Sequence, residues 1–327
     1  MNCHEVLEAH GGNKTLAALA LGLKRSTFRH RLKAEKRDGL DIPDLPDPHI
    51  PIEDLVEERK RKFKHKHEAE EARKLIHVKV RDPKPIGITV FGDPHIDDDG
   101  CDIAQLERDA KIVRDTEGLW GLNIGDSTNN WAGRLAKLYS EQSTSQSEAW
   151  RLAEWFLGMV PWLAIIGGNH DGWSGAGDPL RWILKHCTYE PFQARIALDF
   201  PSGKQIVINA RHDFAGHSMW NPAHGPMKAA QMGFRDHVLI AGHKHQSGYG
   251  LIKCPSTGRV NHAIRVASYK IHDRYGKQLG LPDQNIAPCV TIILRPEADE
   301  RGMVTVFHDI EAGAEYLTWL RNRTATT

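Results

Sequence analysis

The sequence predicts a layered α/β domain preceded by a small all-α module. From Val78 onward, short apolar runs of strand length alternate with helix-length segments, the pattern of a sheet with crossover helices. Five of these runs end in clusters of Asp, Asn or His, most of them just after a glycine. Ahead of them, about forty residues with helical periodicity are set off from the rest by a proline-rich stretch.

A chain of 327 residues is ample for one large α/β domain plus a small module. Lys and Arg total 43 against 42 for Asp and Glu. Overall charge therefore carries no nucleic-acid signature, although its distribution does. The cysteines, Cys3, Cys101, Cys187, Cys254 and Cys289, are odd in number and form no C-x-x-C. That usage fits a reducing compartment rather than a disulfide scaffold or a zinc ribbon. There is no N-terminal signal sequence, and no apolar run approaches the roughly 18 residues of a membrane span. A cytoplasmic location is expected.

Residues 1–40 read as three short helices. Glu5 to His10 is closed by Gly11-Gly12, and Asn13 has the character of an N-cap for Thr15 to Leu21. Gly22-Leu23 turns the chain into a basic third helix, Arg25 to Lys33. Leu23, Phe28 and Leu32 form its inner face, leaving Lys24, Arg25, Thr27, Arg29, His30 and Lys33 outside. This is the pattern of a helix-turn-helix with a basic recognition helix. The string from Gly12-Asn13-Lys14-Thr15 through Ala17-Ala18, Leu21-Gly22-Leu23, Arg25, Thr27-Phe28-Arg29 and Leu32-Lys33 resembles the C-terminal helix-turn-helix of the factor-for-inversion-stimulation family. The resemblance implies that Lys24, Arg25, Thr27 and Arg29 touch the major groove, and Asn13 and Thr15 a phosphate; Lys33 shares the same face. A helical cap with merely solvated charges is the alternative. That family's dimerising helices have no counterpart here.

Residues 41–51 (DIPDLPDPHIP) carry four prolines and read as a semi-stiff linker. Residues 52–77 form a highly charged helical arm, with i,i+4 pairs expected at Glu57–Arg61, Glu58–Lys62 and Glu70–Lys74. Its apolar residues are too sparse for a sustained heptad.

The domain proper spans 78–327. Its first strand, Ile86 to Phe91, ends at Gly92-Asp93-Pro94-His95. Trp120 to Ile124 ends at Gly125-Asp126, and Trp162 to Ile166 at Gly167-Gly168-Asn169-His170-Asp171. Gln205 to Ala210 ends at Arg211-His212, and Val238 to Ala241 at Gly242-His243-Lys244-His245. Runs over Arg259 to Ala267, Val290 to Leu294 and Met303 to Phe307 are expected to complete a second sheet. Each polar cluster follows a strand, where α/β sheets place their ligands.

Alternation along an extended segment points His243 and His245 the same way, at one metal or at two adjacent ones. Together the clusters offer carboxylates, an amide and imidazoles but no thiolate. Such a donor set suits Mn²⁺, Fe or Zn²⁺ and argues against a structural zinc site. A lone Asp-x-His or Gly-Asp is usually a turn; five clusters in one order are far rarer.

That order, D-x-H, G-D, G-N-H-D, H and G-H-x-H, resembles the calcineurin-like metallophosphoesterase superfamily over about residues 86 to 310. In finer texture (Gly92 to Gly100, Asn129-Asn130-Trp131, Gly133-Arg134-Leu135, Ser268-Tyr269-Lys270) it is similar to phage- and prophage-encoded members. The resemblance implies a β-sandwich of two mixed sheets flanked by helices. It further implies two divalent ions, Mn²⁺ foremost, with Fe, Zn²⁺ or Ni²⁺ as alternatives. Asp93, His95 and His245 would hold one, Asn169, His212 and His243 the other, and Asp126 would bridge them. His170 would be the catalytic acid, and Asp171 would hold its loop. Serine/threonine phosphatases of this superfamily carry G-D-x-x-D-R-G. Here Asn129 replaces the second Asp and no Arg-Gly follows, which disfavours a phosphoprotein substrate. Asn129, Arg134, His217, His224, Tyr269 and Lys270 are the residues considered for substrate contact.

The expected function is therefore metal-dependent hydrolysis of nucleic-acid phosphodiesters, with DNA bound by the helix-turn-helix. A phosphoesterase for small molecules and a DNA-binding regulator with a non-catalytic metal site are the rivals. DNA is the expected partner, with a homodimer or higher homo-oligomer also considered.

Overall fold

The computed structural model describes residues 2–35, 48–172, 178–184, 187–278, 280 and 286–324, without the side chains of residues 134, 274, 275 and 324. Linker residues 41–47 and the side chain of Arg134 thus lie outside the described residues. The chain divides into two compact units, Met1–Lys66 and His67–Thr327.

The first unit begins with α1 (Cys3–Ala9), capped reciprocally by Asn2 and Glu5. Helix α2 (Lys14–Ala20) starts at Asn13, whose Oδ1 accepts from the N–H groups of Thr15 and Leu16 at 3.0 and 3.3 Å. Gly22 turns the chain with φ +66° into α3 (Arg25–Glu35). The helices close on Cys3, Val6, Ala17, Ala18 and Phe28, with Leu23 and Leu32 packed against them. Small alanines let α2 approach α3, and Phe28 fills the centre. Lys24, Arg25, Thr27, Arg29 and Lys33 are all exposed.

Helix α4 (Ile52–Arg73) has no buried residue, and the boundary between the units falls within it. Glu58 pairs with Lys62 as its spacing predicts. Glu57 instead takes Lys60, and Lys74 takes Glu71, both at i,i+3 and 2.7 Å. The helix also ends before residue 77: Ile76–Lys79 is an edge strand, β1, paired in parallel with a later strand. Its half-buried alternation is too short to stand out beside the charged helix.

The rest of the second unit runs β2 (Ile86–Phe91), α5 (Ile103–Asp115), β3 (Leu119–Asn123), a 3₁₀ helix (Gly133–Glu141), α6 (Gln146–Met159) and β4 (Trp162–Gly167). It continues with α7 (Leu180–Ile183), β5 (Tyr189–Pro191), β6 (Gln193–Asp199), β7 (Gln205–Arg211), α8 (His224–Met232) and β8 (Val238–Ala241). The chain completes the fold with β9 (Gly248–Lys253), β10 (Val260–Arg265), α9 (Arg274–Gln278), β11 (Cys289–Leu294), β12 (Val304–Phe307) and α10 (Ile310–Thr324). Two six-stranded mixed sheets result, ordered β1-β6-β7-β8-β10-β9 and β12-β11-β2-β3-β4-β5. One expectation is corrected here: the three late runs do not form a sheet together. The run over 259–267 joins β8 in parallel, whereas β11 and β12 extend the sheet of β2. All three read as strand-length runs, and that pattern alone does not assign a strand to a sheet.

Alternate residues of both sheets meet in one core. Ile88, Val90, Leu122, Ile166 and Ile292 face Ile196, Ile208, Val238, Ile240 and Ile264. The opposite face of the second sheet packs Phe91, Leu119, Ile165 and Ile293 against α5, α6 and α10. Strands β2 and β11 are buried throughout, which is why they read as unbroken apolar runs. Parallel pairing of β2, β3 and β4, and of β7 and β8, puts each set's C-terminal loops at one end.

Candidate metal centre

The loops after β2, β3, β4, β7 and β8 converge there. His95 N–H and Ile96 N–H donate to Asp126 O and Ser127 O at 3.0 Å, tying the first loop to the second. His170 N–H donates to Asp126 Oδ1 at 2.9 Å, and the His243 N–H to Asp93 Oδ2. Asp171 staples two loops together. Its carboxylate accepts from the N–H groups of Asp126 (2.9 Å), Ser127 (3.1 Å) and Gly168 (2.7 Å). Burial and the charge of Asp126 push the Asp171 carboxyl up to about 7, opposed by the N–H donors.

The side chains meet within a narrow space. His95 Nε2 lies 3.2 Å from His245 Nε2 and 4.0 Å from Asp126 Oδ2. On the other side, His212 Nε2 is 2.8 Å from Asn169 Oδ1, 3.0 Å from His243 Nδ1 and 3.2 Å from Asp126 Oδ2. Asp93 spans both sides, at 3.6 Å from His212 Nδ1 and 3.8 Å from His245 Nε2. Two groups able to hold an ion follow, His95–Asp126–His170 and Asp126–His212–His243, and Asp126 is common to both. Donor atoms near 3 Å apart are what a shared cation about 2.1 Å from each imposes.

Burial by itself would raise the Asp126 carboxyl. His212, with His170 and His95, instead holds it well below the usual carboxylate range. Asp93 and His95 are buried, at 0% and 2% exposure, yet Asp93 Oδ1 and His95 Nδ1 have no hydrogen-bond partner among the described residues. Orphaned polar atoms are uncommon in a folded interior and point to a missing partner. Two carboxylates, an amide oxygen and imidazoles fit a divalent cation of the Mn²⁺, Fe or Zn²⁺ kind.

The backbone is strained at the same place. Non-glycine residues with positive φ among the described residues are His95 (42°), Asp126 (51°), Asn130 (38°), Phe192 (65°), His243 (67°) and His245 (53°). Such conformations cost of order 1–3 kcal/mol each and persist where the surroundings impose them. Glycines give the room: a Cβ on Gly125 (φ +118°) would lie 2.5 Å from His212 Nδ1, and one on Gly168 2.1 Å from Asp126 Oδ1.

His170 stands at the rim between the rings of His95 and Trp131, 4.9 and 5.2 Å away. Its Nδ1 is hydrogen-bonded to Asn129 O, which leaves Nε2 facing Asp126 Oδ2 at 3.8 Å. Desolvation lowers its pKa, and Asp126 works the other way.

The residues considered for substrate contact fare differently. Tyr269 is fully buried, stacked on Phe91, with its hydroxyl donating to Asp109 Oδ2 at 3.0 Å; it is a core residue. Lys270 is 5% exposed and held by Asp98 (2.9 Å) and Asp273 (3.3 Å). Asn129 spends its side-chain N–H groups on Asp98 Oδ2 and Gln142 Oε1 at 2.8 and 3.0 Å, while its main-chain carbonyl accepts from His170. Tyr269 is therefore corrected to a structural role, while Asn129 and Lys270 are held by neighbouring side chains. A strand-exit position gives no sign in sequence of which way its side chain turns. His217 is exposed on the segment between β7 and α8, and His224 is half-buried at the start of α8.

Other supporting residues were not foreseen. Arg265, 2% exposed, donates to Gly242 O, to Pro222 O at 2.7 Å and to Asp213 Oδ1 at 2.8 Å, fixing the loop before His243. Ser268 Oγ donates to Asp93 O at 2.6 Å, and Asn130 Nδ2 to His170 O at 2.7 Å. The available signal was an arginine closing a strand-length run that ends in Ala263 and Ile264 before it.

Residues 4–34 match the helix-turn-helix family described as "Bacterial regulatory protein, Fis family". No curated protein matches the chain. Similar solved structures include Vps29 of Chaetomium thermophilum (15% identity, 68% of this chain and 95% of that one, TM-score 0.34). Another is the NAD nucleotidase NadN of Haemophilus influenzae (11%, 68% and 49%, TM-score 0.37). A third is the calcineurin-like phosphoesterase YfkN of Bacillus subtilis (11%, 74% and 97%, TM-score 0.36). Likenesses this distant say nothing of chemistry, which rests on the side chains.

Proposed function

We propose that the chain is a dinuclear-metal-dependent phosphodiesterase that hydrolyses nucleic acid, DNA foremost, and uses its N-terminal helices to bind it. The sharing of Asp126 between two donor groups supports this reading most directly. Asp93, His95 and His245 would hold one ion and Asn169, His212 and His243 the other, with Asp126 between them. Bound divalent cations, Mn²⁺ foremost, supply Lewis acidity that neutralises phosphate charge and acidifies water.

The chain's own residues do the rest. Asp171 and the strained loops hold the donor atoms in place before any substrate arrives, so no reorganisation is needed during reaction. Asn129 O, fixed through the Asn129 amide, orients His170 and stabilises a proton on Nδ1. When the ring carries a second proton at Nε2, that proton faces the space beside Asp126 and is placed for a leaving oxygen. Trp131 and His95 shield the ring from bulk water. In the first unit, the exposed row of Lys24, Arg25, Thr27, Arg29 and Lys33 on α3, with Asn13 and Thr15 at the start of α2, supports major-groove binding.

Purified protein with Mn²⁺, and with EDTA as control, should be assayed on plasmid, linear and single-stranded DNA beside chromogenic phosphodiester and phosphomonoester substrates. Metal-dependent cleavage of DNA and of the diester is expected. Preference for the monoester, or no metal-dependent turnover, would overturn the reading.

A further inference from the structure

A cleft of about 710 Å³ in the second unit has no role in the chemistry described so far. Arg73, Lys74, Arg181, Arg195 and Arg211 line it, against two carboxylates, Glu70 and Glu190. Most of these cations have partners: Arg195 is held by Asp236 at 2.7 Å, Arg73 by Glu190 at 2.9 Å, and Arg181 lies 3.6 Å from Asp178. Arg211 differs. Half-buried, it donates Nε–H to Asn209 Oδ1 at 3.2 Å and lies 4.5 and 5.0 Å from the rings of Phe234 and Phe214. Among the described residues no carboxylate pairs with it. Asp236, its nearest prospect, is taken by Arg195 and by Asn209 Nδ2 at 2.9 Å. A partly desolvated guanidinium without an anion is costly, and its remaining N–H groups suit phosphate.

The cleft also presents aromatic surface. Phe192 is 52% exposed and held at φ +65°, a conformation rare for a bulky side chain. Two hydrogen bonds impose it: Phe192 N–H donates to Gly167 O at 2.8 Å, and His212 N–H to Phe192 O at 2.9 Å. The same residue is thereby tied to the loop of Asn169 and to His212. Through these two bonds and through Arg211, the residue before His212, the cleft's lining is joined to the backbone that carries both proposed ligands.

We propose that this cleft is a track for single-stranded nucleic acid, with Arg211 and its neighbours on backbone phosphates and bases stacked on Phe192 and Phe234. The proposal rests on the reading of the protein as a nucleic-acid phosphodiesterase. Basic grooves with interleaved aromatics bind single strands in this manner.

Binding of a labelled oligothymidylate to full-length protein, followed by fluorescence anisotropy in EDTA across a salt series, tests it. Each phosphate that a variant no longer neutralises lowers the log–log salt slope by about 0.7. Arg211→Gln should bind about ten-fold more weakly with a slope lower by about that amount. A Lys74→Ala/Arg181→Ala protein, altered only at exposed side chains, should lose about twice that slope. Phe192→Ala should lose affinity, about five-fold or more, with the slope unchanged. Wild-type affinity and slope in the two charge variants would overturn the track and assign strand binding to the N-terminal helices. Turnover of a small diester by wild-type protein with Mn²⁺ reports on the centre separately. Weakened binding in the variants without any such turnover would leave the track standing and remove the phosphodiesterase reading.

Discussion

Asp171 offers the most direct check on how the centre is built. It is fully buried, and its two oxygens accept from three backbone N–H groups on the loops after β3 and β4. Asp171→Ala leaves those N–H groups without their acceptor, at about 1–3 kcal/mol each. Even at the low end the loss is about 3 kcal/mol, a large part of the 5–15 kcal/mol typical of a domain. Asp171→Asn keeps the volume and one acceptor oxygen, but its NH₂ then faces a backbone N–H. That substitution should cost less, about 2 kcal/mol. Urea unfolding read by tryptophan fluorescence is the assay, because all nine tryptophans lie beyond residue 66 and report the second unit alone. With a slope of about 3 kcal/mol per molar urea, the alanine protein should unfold about 1 M earlier than wild type. A midpoint shift under about 0.2 M would refute the reasoning and mean that the two loops are held by other interactions. Metal content at equilibrium should fall in parallel, since the backbone of Asp126 is what Asp171 positions.

Three further outcomes follow from the same geometry. Asp126→Ala should abolish two-ion loading measured by elemental analysis, while His170→Ala keeps the ions and loses turnover; equal metal depletion in both would make His170 a ligand. Phosphodiesters should be cleaved with higher kcat/KM than a phosphoserine peptide, because Asn129 supports His170 through its carbonyl alone, and the opposite order would place the protein with the phosphatases. Removing residues 1–40 should weaken duplex DNA binding and flatten its salt dependence by about 0.9 for each phosphate no longer neutralised; unchanged affinity and slope would exclude DNA delivery by the helices.

Much of this protein was legible in the sequence because the signals were local. Helix-turn-helix packing needs small residues at Ala17 and Ala18, a turn at Gly22 and an apolar Phe28, all within one short segment. Strands buried on both faces, such as β2, announce themselves as apolar runs, and the glycines before Asp126 and Asn169 mark where backbone must pass close to side chains. The Asp, Asn and His residues that these loops bring together could be picked out because each lies shortly after the end of a strand. Tertiary structure alone decided which sheet each late strand joins, since β10 and β11 both read only as strand-length runs, with no sign in sequence of their neighbours. It also decided that Tyr269 turns into the core while Arg265 reaches across to Gly242, and that Asp171 serves two loops at once. Those assignments depend on interactions between residues far apart in the chain, where a side chain's direction is set by packing from every side rather than by its neighbours in sequence.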